Sequence, residues 1–380
     1  MTTDMTKTKT AASGSFYLYV DYVNYNVSGY LAFIDPERDE VIRTIIVGFD
    51  PGPMCIDVDE KMLYVLSSLG SSVTVVDTKT MKVTTSLHVG QGNASYPVAI
   101  FASPVGGKLY IADSGEKTVV IINTLTNAII KDVDVGPGKP FAFASNKNSN
   151  FVYVACKVAD GEDYVVAISL KDDSAYAYGK EMGLTFDGTH NPLVVHPDGH
   201  TQITLGTTGM LVHTDDKIGK PVTSSLLDDT VSGVYLDNKM LLCTMDAGKK
   251  YLKRFTDLAV DKEGHITYDD FIDVPSFESQ DVIRYSRMQG FICITIQPTT
   301  TPLAAVQIYT STGINFPLAR FPHVGDLAFS SDTKAYVALI NSICPIDLNT
   351  ARVLPEIPMS PINKDTNQVR SIVCGYRNQS

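Results

Sequence analysis

The chain has 380 residues, 44% of them hydrophobic, with 27 Gly, 19 Pro, no Trp and a net charge of −11. An acidic chain whose lysines and arginines are scattered excludes a surface that tracks a phosphate backbone, so no nucleic-acid partner is expected. No stretch approaches the roughly 18 apolar residues of a membrane-spanning helix, so no membrane partner is expected, and the apolar fraction goes instead into a large core.

Residues 1–15 come first in chain order, mostly Thr, Lys, Ala, Ser and Gly, and read as a disordered tail ahead of one domain over 16–380. They lack the apolar segment of a secretory signal, which makes the cytoplasm the expected location. Beyond them one phrase recurs at fixed internal spacing. Ile34-Asp35-Pro36 is followed by Val41 and Val47-Gly48. Val76-Asp77-Thr78 is followed by Val83 and Val89-Gly90, and Ile122-Asn123-Thr124 by Ile129 and Val135-Gly136. Ile346-Asp347 is followed by Val353, without the closing Val-Gly. A period of about 40 residues built from short apolar runs predicts an array of small stacked β-sheets.

Each unit reads as four strands. In one unit they fall at Val98–Ser103, Leu109–Asp113, Thr118–Ile122 and Ala128–Val135. The second strand carries Leu109-Tyr110-Ile111-Ala112, with equivalents at Leu63-Tyr64-Val65-Leu66, Val152-Tyr153-Val154-Ala155 and Ala335-Tyr336-Val337-Ala338. Weak alternation in the first two strands predicts burial on both faces, and clearer alternation in the fourth, Val83 to Leu87, predicts a solvated outer edge. The tyrosine-valine strand, the Val-Asp-Thr strand end and the Val-Gly before the next unit resemble the YVTN-type β-propeller repeat family. The resemblance is plain over 16–183, returns at 324–357 and fades over 190–320. It implies a closed all-β propeller and says little about activity.

First strands are expected to begin near Met54, Val98, Phe141, Leu193, Val231, Asp281 and Val324, with an eighth at Val369–Cys374. Phe16–Tyr22, Tyr30–Ile34 and Val41–Val47 lack a first strand, and the C-terminal strand supplies it. Pairing the two ends closes the ring and removes its open edges. The count favours eight four-stranded blades, with seven, the number the resemblance favours, as the alternative.

Cys55, Cys156, Cys243, Cys293, Cys344 and Cys374 form no C-x-x-C pair and sit in apolar runs, so they read as buried reduced thiols. His196-Pro-Asp-Gly-His200 has the spacing of a zinc pair, but Pro-Asp-Gly forbids the helix that pair needs and makes it a turn. Asp215-Asp216, Asp228-Asp229 and Asp269-Asp270 read as solvated turn charges. No phosphate loop, nucleophile elbow or tryptophan docking motif is present, and no cofactor or metal is expected.

A propeller concentrates ligands where its blade-to-blade loops converge at the channel mouth. His190, three residues before a first strand where other repeats place Ser95 and Gly138, is the leading candidate for a general acid or base. His323 occupies a comparable loop, and the two would face one another across a ring. Tyr96 and Lys139 could stabilise a developing oxyanion. Arg284 and Arg370 lie within first strands, where a guanidinium must face the channel or an ion-pair partner such as Asp281. Asn191 and Gln280 complete the ligand-binding candidates. The sequence therefore points to a cofactor-independent enzyme acting on a small organic molecule, a lyase, isomerase, cyclase or lactone hydrolase. A non-catalytic platform for a protein partner and a redox or haem-binding propeller are the alternatives.

Overall fold

The computed structural model describes residues 16–24, 29–90, 94–180, 182–188, 190–206, 208–214, 222–228, 230–236, 240–245, 251–261, 265–275, 280–286, 291–296, 303–310, 319–330, 334–359 and 367–376, with backbone alone in parts of some strands. The tail expected over 1–15, and Asp215, Asp216 and Asp229 of the paired acids, lie outside the described residues. Among those described, no helix is long and apolar enough to cross a membrane, and every regular element is a strand.

The strands form small antiparallel sheets arranged as in a propeller. Sheet A holds Gly29–Asp35 and Glu40–Ile46 outside Phe16–Asn24, with Asn367–Tyr376 innermost. Sheet B runs outward from Pro51–Ile56, C from Pro97–Ala102, D from Lys139–Ala144 and E from Leu193–Val195. Sheets F, G and H run outward from Thr230–Leu236, Gln280–Ser286 and Leu327–Phe329. Sheet H carries an extra short strand, Ile357–Pro358, and sheet F is interrupted by a hairpin of Ala259–Val260 and Ile266–Thr267 before its outer strand. Each inner strand lies beside the next, and that of H returns to that of A.

Neighbouring sheets divide the core into slabs. Leu31 and Phe33 of A pack on Leu63, Val65 and Val76 of B, and Tyr64, Leu66 and Val75 of B on Ile100, Leu109 and Ile111 of C. Middle strands are covered from both sides, so Met62–Ser67 and Ser72–Asp77 are buried almost throughout, while outer Lys82–His88 is largely exposed. The expectation of full burial fails for the first strands. Pro51–Ile56 and Pro97–Ala102 are only half buried, because they line the centre of the ring.

The repeated phrase is a turn. Oδ1 of Asp35, Asp77, Asn123 and Asp347 accepts a backbone N–H two or three residues on, from Glu37 (2.8 Å), Thr80 (2.6 Å), Leu125 (2.9 Å) and Asn349 (2.9 Å). Such short polar side chains fold their own backbone into a turn. The turn ends on a left-handed residue, Asp39 (φ 54°), Met81 (55°), Asn127 (55°) or Ala351 (54°), which explains the invariant spacing.

The repeated tyrosine reaches from one sheet to this turn of the next. Tyr64 lies close to the Thr124 side chain. The Tyr336 hydroxyl donates to Asp39 Oδ1 at 2.6 Å, and Lys334 Nζ meets Asp39 Oδ2 at 2.6 Å. In the same position Lys108 pairs with Asp173 at 2.7 Å. Sheets H and A are thus fastened, and sheet A is itself completed where Phe16–Asn24 pairs antiparallel with Asn367–Tyr376, Leu18 opposite Cys374 and Tyr19 opposite Val373.

Asp39→Ala is expected to lower stability by about 1–2 kcal/mol in urea unfolding, since it takes the carboxylate away from Lys334 and Tyr336 and leaves them the Pro36 carbonyl. Asp39→Asn, which keeps an acceptor and tolerates the left-handed backbone, should cost clearly less. Burial pushes the Cys156, Cys243 and Cys293 thiols far up. They should stay unlabelled by iodoacetamide at pH 8 until the protein is unfolded, as peptide mapping by mass spectrometry would read.

Candidate functional site

The inner strands surround a cavity of about 1100 Å³. Its lining combines four of the side chains singled out in the sequence, His190, Asn191, Arg284 and Arg370. Three carboxylates not singled out there hold them in place.

On sheet E, the loop before Leu193–Val195 is folded by Asp187. Its Oδ1 accepts the His190 N–H at 3.1 Å and its Oδ2 meets His190 Nδ1. The imidazole is therefore oriented by a carboxylate, and a proton held on Nδ1 makes Nε2 the basic nitrogen. Asn191 ties the same loop to sheet D: its Nδ2 donates to the Phe143 carbonyl at 2.8 Å and its Oδ1 accepts the Leu193 N–H at 3.0 Å.

Arg284 and Arg370 both find partners on the following sheet. Arg284 Nη2 meets Asp326 Oδ1 of sheet H at 3.1 Å, a partner not singled out in the sequence; the Asp281 side chain lies outside the described residues. Asp326 also accepts the N–H of Leu327 (2.8 Å) and of Ile372 on sheet A (3.2 Å), joining three inner strands. Arg370 Nη2 meets Asp50 Oδ1 of sheet B at 3.3 Å. Positive and negative groups thus alternate over G, H, A and B. The wall on C and D is apolar, with Val98, Phe101, Phe141 and Phe143, and the rings of Phe101 and Phe143 stack at 6.0 Å.

The other candidates are not brought to this cavity. Tyr96 has its backbone N–H on the buried carboxylate of Asp113 (2.8 Å) and its side chain out in solvent. Lys139, exposed, opens its strand, and half-buried His323 precedes the short strand of H; neither lines the cavity, so the two histidines are not juxtaposed there. Gln280 opens the inner strand of G, and its side chain lies outside the described residues. His196 and His200 sit on a turn, with His196 Nδ1 2.9 Å from Asp198 and Gly199 at φ 82°. The missed carboxylates had faint signals: Asp187 stands three residues before His190, and Asp50 and Asp326 each fall just before an inner strand.

No protein-family model matches the chain, and no curated protein matches it in sequence. Solved structures do match. The dihydro-haem d1 dehydrogenase NirN, in complex with DHE, aligns with a TM-score of 0.71 at 12% identity, over 96% of this chain and 76% of that one. Apo AztD from Citrobacter koseri aligns at 0.62 and 15%, over 96% and 98%. The β-propeller domain of Cps50 (Swd1) from Myceliophteria thermophila aligns at 0.54 and 12%, over 82% and 97%. At these identities the likeness shows the β-propeller fold alone.

The Arg370 and Asp50 side chains are 40% and 29% exposed, so their pair is screened by water. Arg370→Gln should therefore change the urea midpoint by no more than about 0.5 kcal/mol equivalent. A larger loss would mean that the guanidinium holds the ring together instead of facing a ligand.

Proposed function

We propose that the protein is a small-molecule-binding propeller whose site is the mouth of its central cavity, and that it is an enzyme working without a cofactor. The proposal includes an eight-bladed ring; its support is the succession of sheets A to H, each inner strand beside the next. One observation carries the functional reading. A carboxylate-oriented imidazole, His190 on Asp187, lines the same cavity as two half-exposed arginines. A base held in one orientation in the same cavity as cationic groups suits chemistry that removes a proton and stabilises the resulting oxyanion. In this scheme His190 moves the proton, Asp187 fixes the imidazole, and Arg284 and Arg370 take the negative charge. Lyase, isomerase, cyclase and lactone-hydrolase reactions can all use that division of labour.

A second reading, a redox or haem-binding propeller, draws on the likeness to NirN and on the same histidine. A carboxylate behind an imidazole is also the usual support of a metal ligand. His190 would then hold the iron, the arginines would take the carboxylates of the macrocycle, and the group would supply electron transfer.

Native mass spectrometry of the protein incubated with a cell metabolite extract tests the first reading. Wild type and Asp187→Asn should both retain a small organic molecule, and His190→Ala should slow its conversion by about 100-fold. Conversion unchanged in His190→Ala removes the enzyme proposal. A Soret band on haem addition that is lost in His190→Ala would transfer support to the second reading.

A further inference from the structure

We infer, resting on the small-molecule reading above, that the ligand is an amphipathic monocarboxylate. Its carboxylate lies against Arg370 and Arg284, and its apolar body against the phenylalanines of sheets C and D. The cavity is two-sided. Its arginine–aspartate array occupies the inner strands of G, H, A and B, whereas the adjoining arc on C and D presents Val98, Phe101, Phe141 and Phe143. A ligand charged throughout would leave that arc unfilled, and a wholly apolar one would desolvate the ion pairs without replacing water's hydrogen bonds.

Donors outnumber acceptors on the charged side. Asp326 already accepts from Arg284, Leu327 and Ile372. Arg370, among the described residues, uses only Nη2, on Asp50, and stays 40% exposed. The unused edge of a guanidinium fork presents parallel N–H groups that match a carboxylate. The charge balance sets the valence. Each arginine already faces one aspartate, so a single added negative charge leaves the array one unit negative, while a phosphate dianion would double the excess. The volume is that of a pocket for a drug-sized molecule.

Calorimetry with 2-naphthoate, 2-naphthamide, acetate and 2-naphthyl phosphate tests this. Naphthoate should bind about tenfold tighter than the amide or acetate, the worth of a charge-assisted hydrogen bond, and no more weakly than the phosphate. Arg370→Gln should reduce naphthoate to the level of the amide. Phe141→Ala should weaken both while preserving their ratio. Asp50→Asn, which removes the competing negative charge at nearly constant shape, should tighten naphthoate, and it serves if Arg370→Gln fails to fold. Equal affinity for acid and amide, or a preference for the phosphate, overturns the monocarboxylate and leaves the cavity site standing. No binding of any probe to the folded protein overturns both.

Discussion

The pairing of Phe16–Asn24 with Asn367–Tyr376 is the constraint on which the rest depends. A four-stranded sheet of apolar middle strands cannot stand alone in water, because both its faces need cover. Each sheet here is covered by its neighbours, so the arrangement is stable only when the last neighbour meets the first. The Lys334–Asp39 and Tyr336–Asp39 contacts seal the same junction from outside. The cavity is a by-product of that closure: inner strands cannot all reach the centre, and what they leave is the space into which His190, Arg284 and Arg370 face.

Buried carboxylates recur wherever loops meet this centre. Asp113 gathers Ser95 and the N–H groups of Tyr96, Gly115 and Glu116. Asp163 gathers Val158, Phe186 and Lys157. A carboxylate that accepts several N–H groups can remain charged out of water, and it freezes the loop that supplies them. Asp187 and Asp326 apply the same device where the collected donors are an imidazole and a guanidinium. The scaffold and the site are therefore built from one kind of interaction, differing only in whether the donor faces the cavity.

The repeated phrase and its tyrosine were legible because each is local: an Asx turn with a left-handed closing residue, and a side chain one sheet away. The side chains at the mouth were harder to read. A strand alternates its faces strictly, so a one-residue slip reverses which residues look inward. The inner strands of B, C, D, F and G all carry such a slip near their start, as between Pro140 and Ala142 or between Gln280 and Ile283. Lys139 falls ahead of the slip, Phe141 and Phe143 at or beyond it, and only the latter two line the cavity. Arg284 lies beyond the slip on sheet G and does so too. Parity counted along the sequence cannot register this. Asp187, Asp50 and Asp326 gave only a faint signal for another reason, since an acid before a strand looks like any solvated turn.

The shared sheet A also has a consequence in time. Its outer three strands leave the ribosome before its innermost strand, so while the sheets between are made the nascent chain carries an unfilled groove where Asn367–Tyr376 will lie. Joining segments so far apart in sequence is the slowest class of contact to form. Until it forms, Phe16–Asn24 presents a bare edge to any extended peptide nearby. The sheet's most exposed interval precedes that pairing, and it lasts until the sheets between have been made.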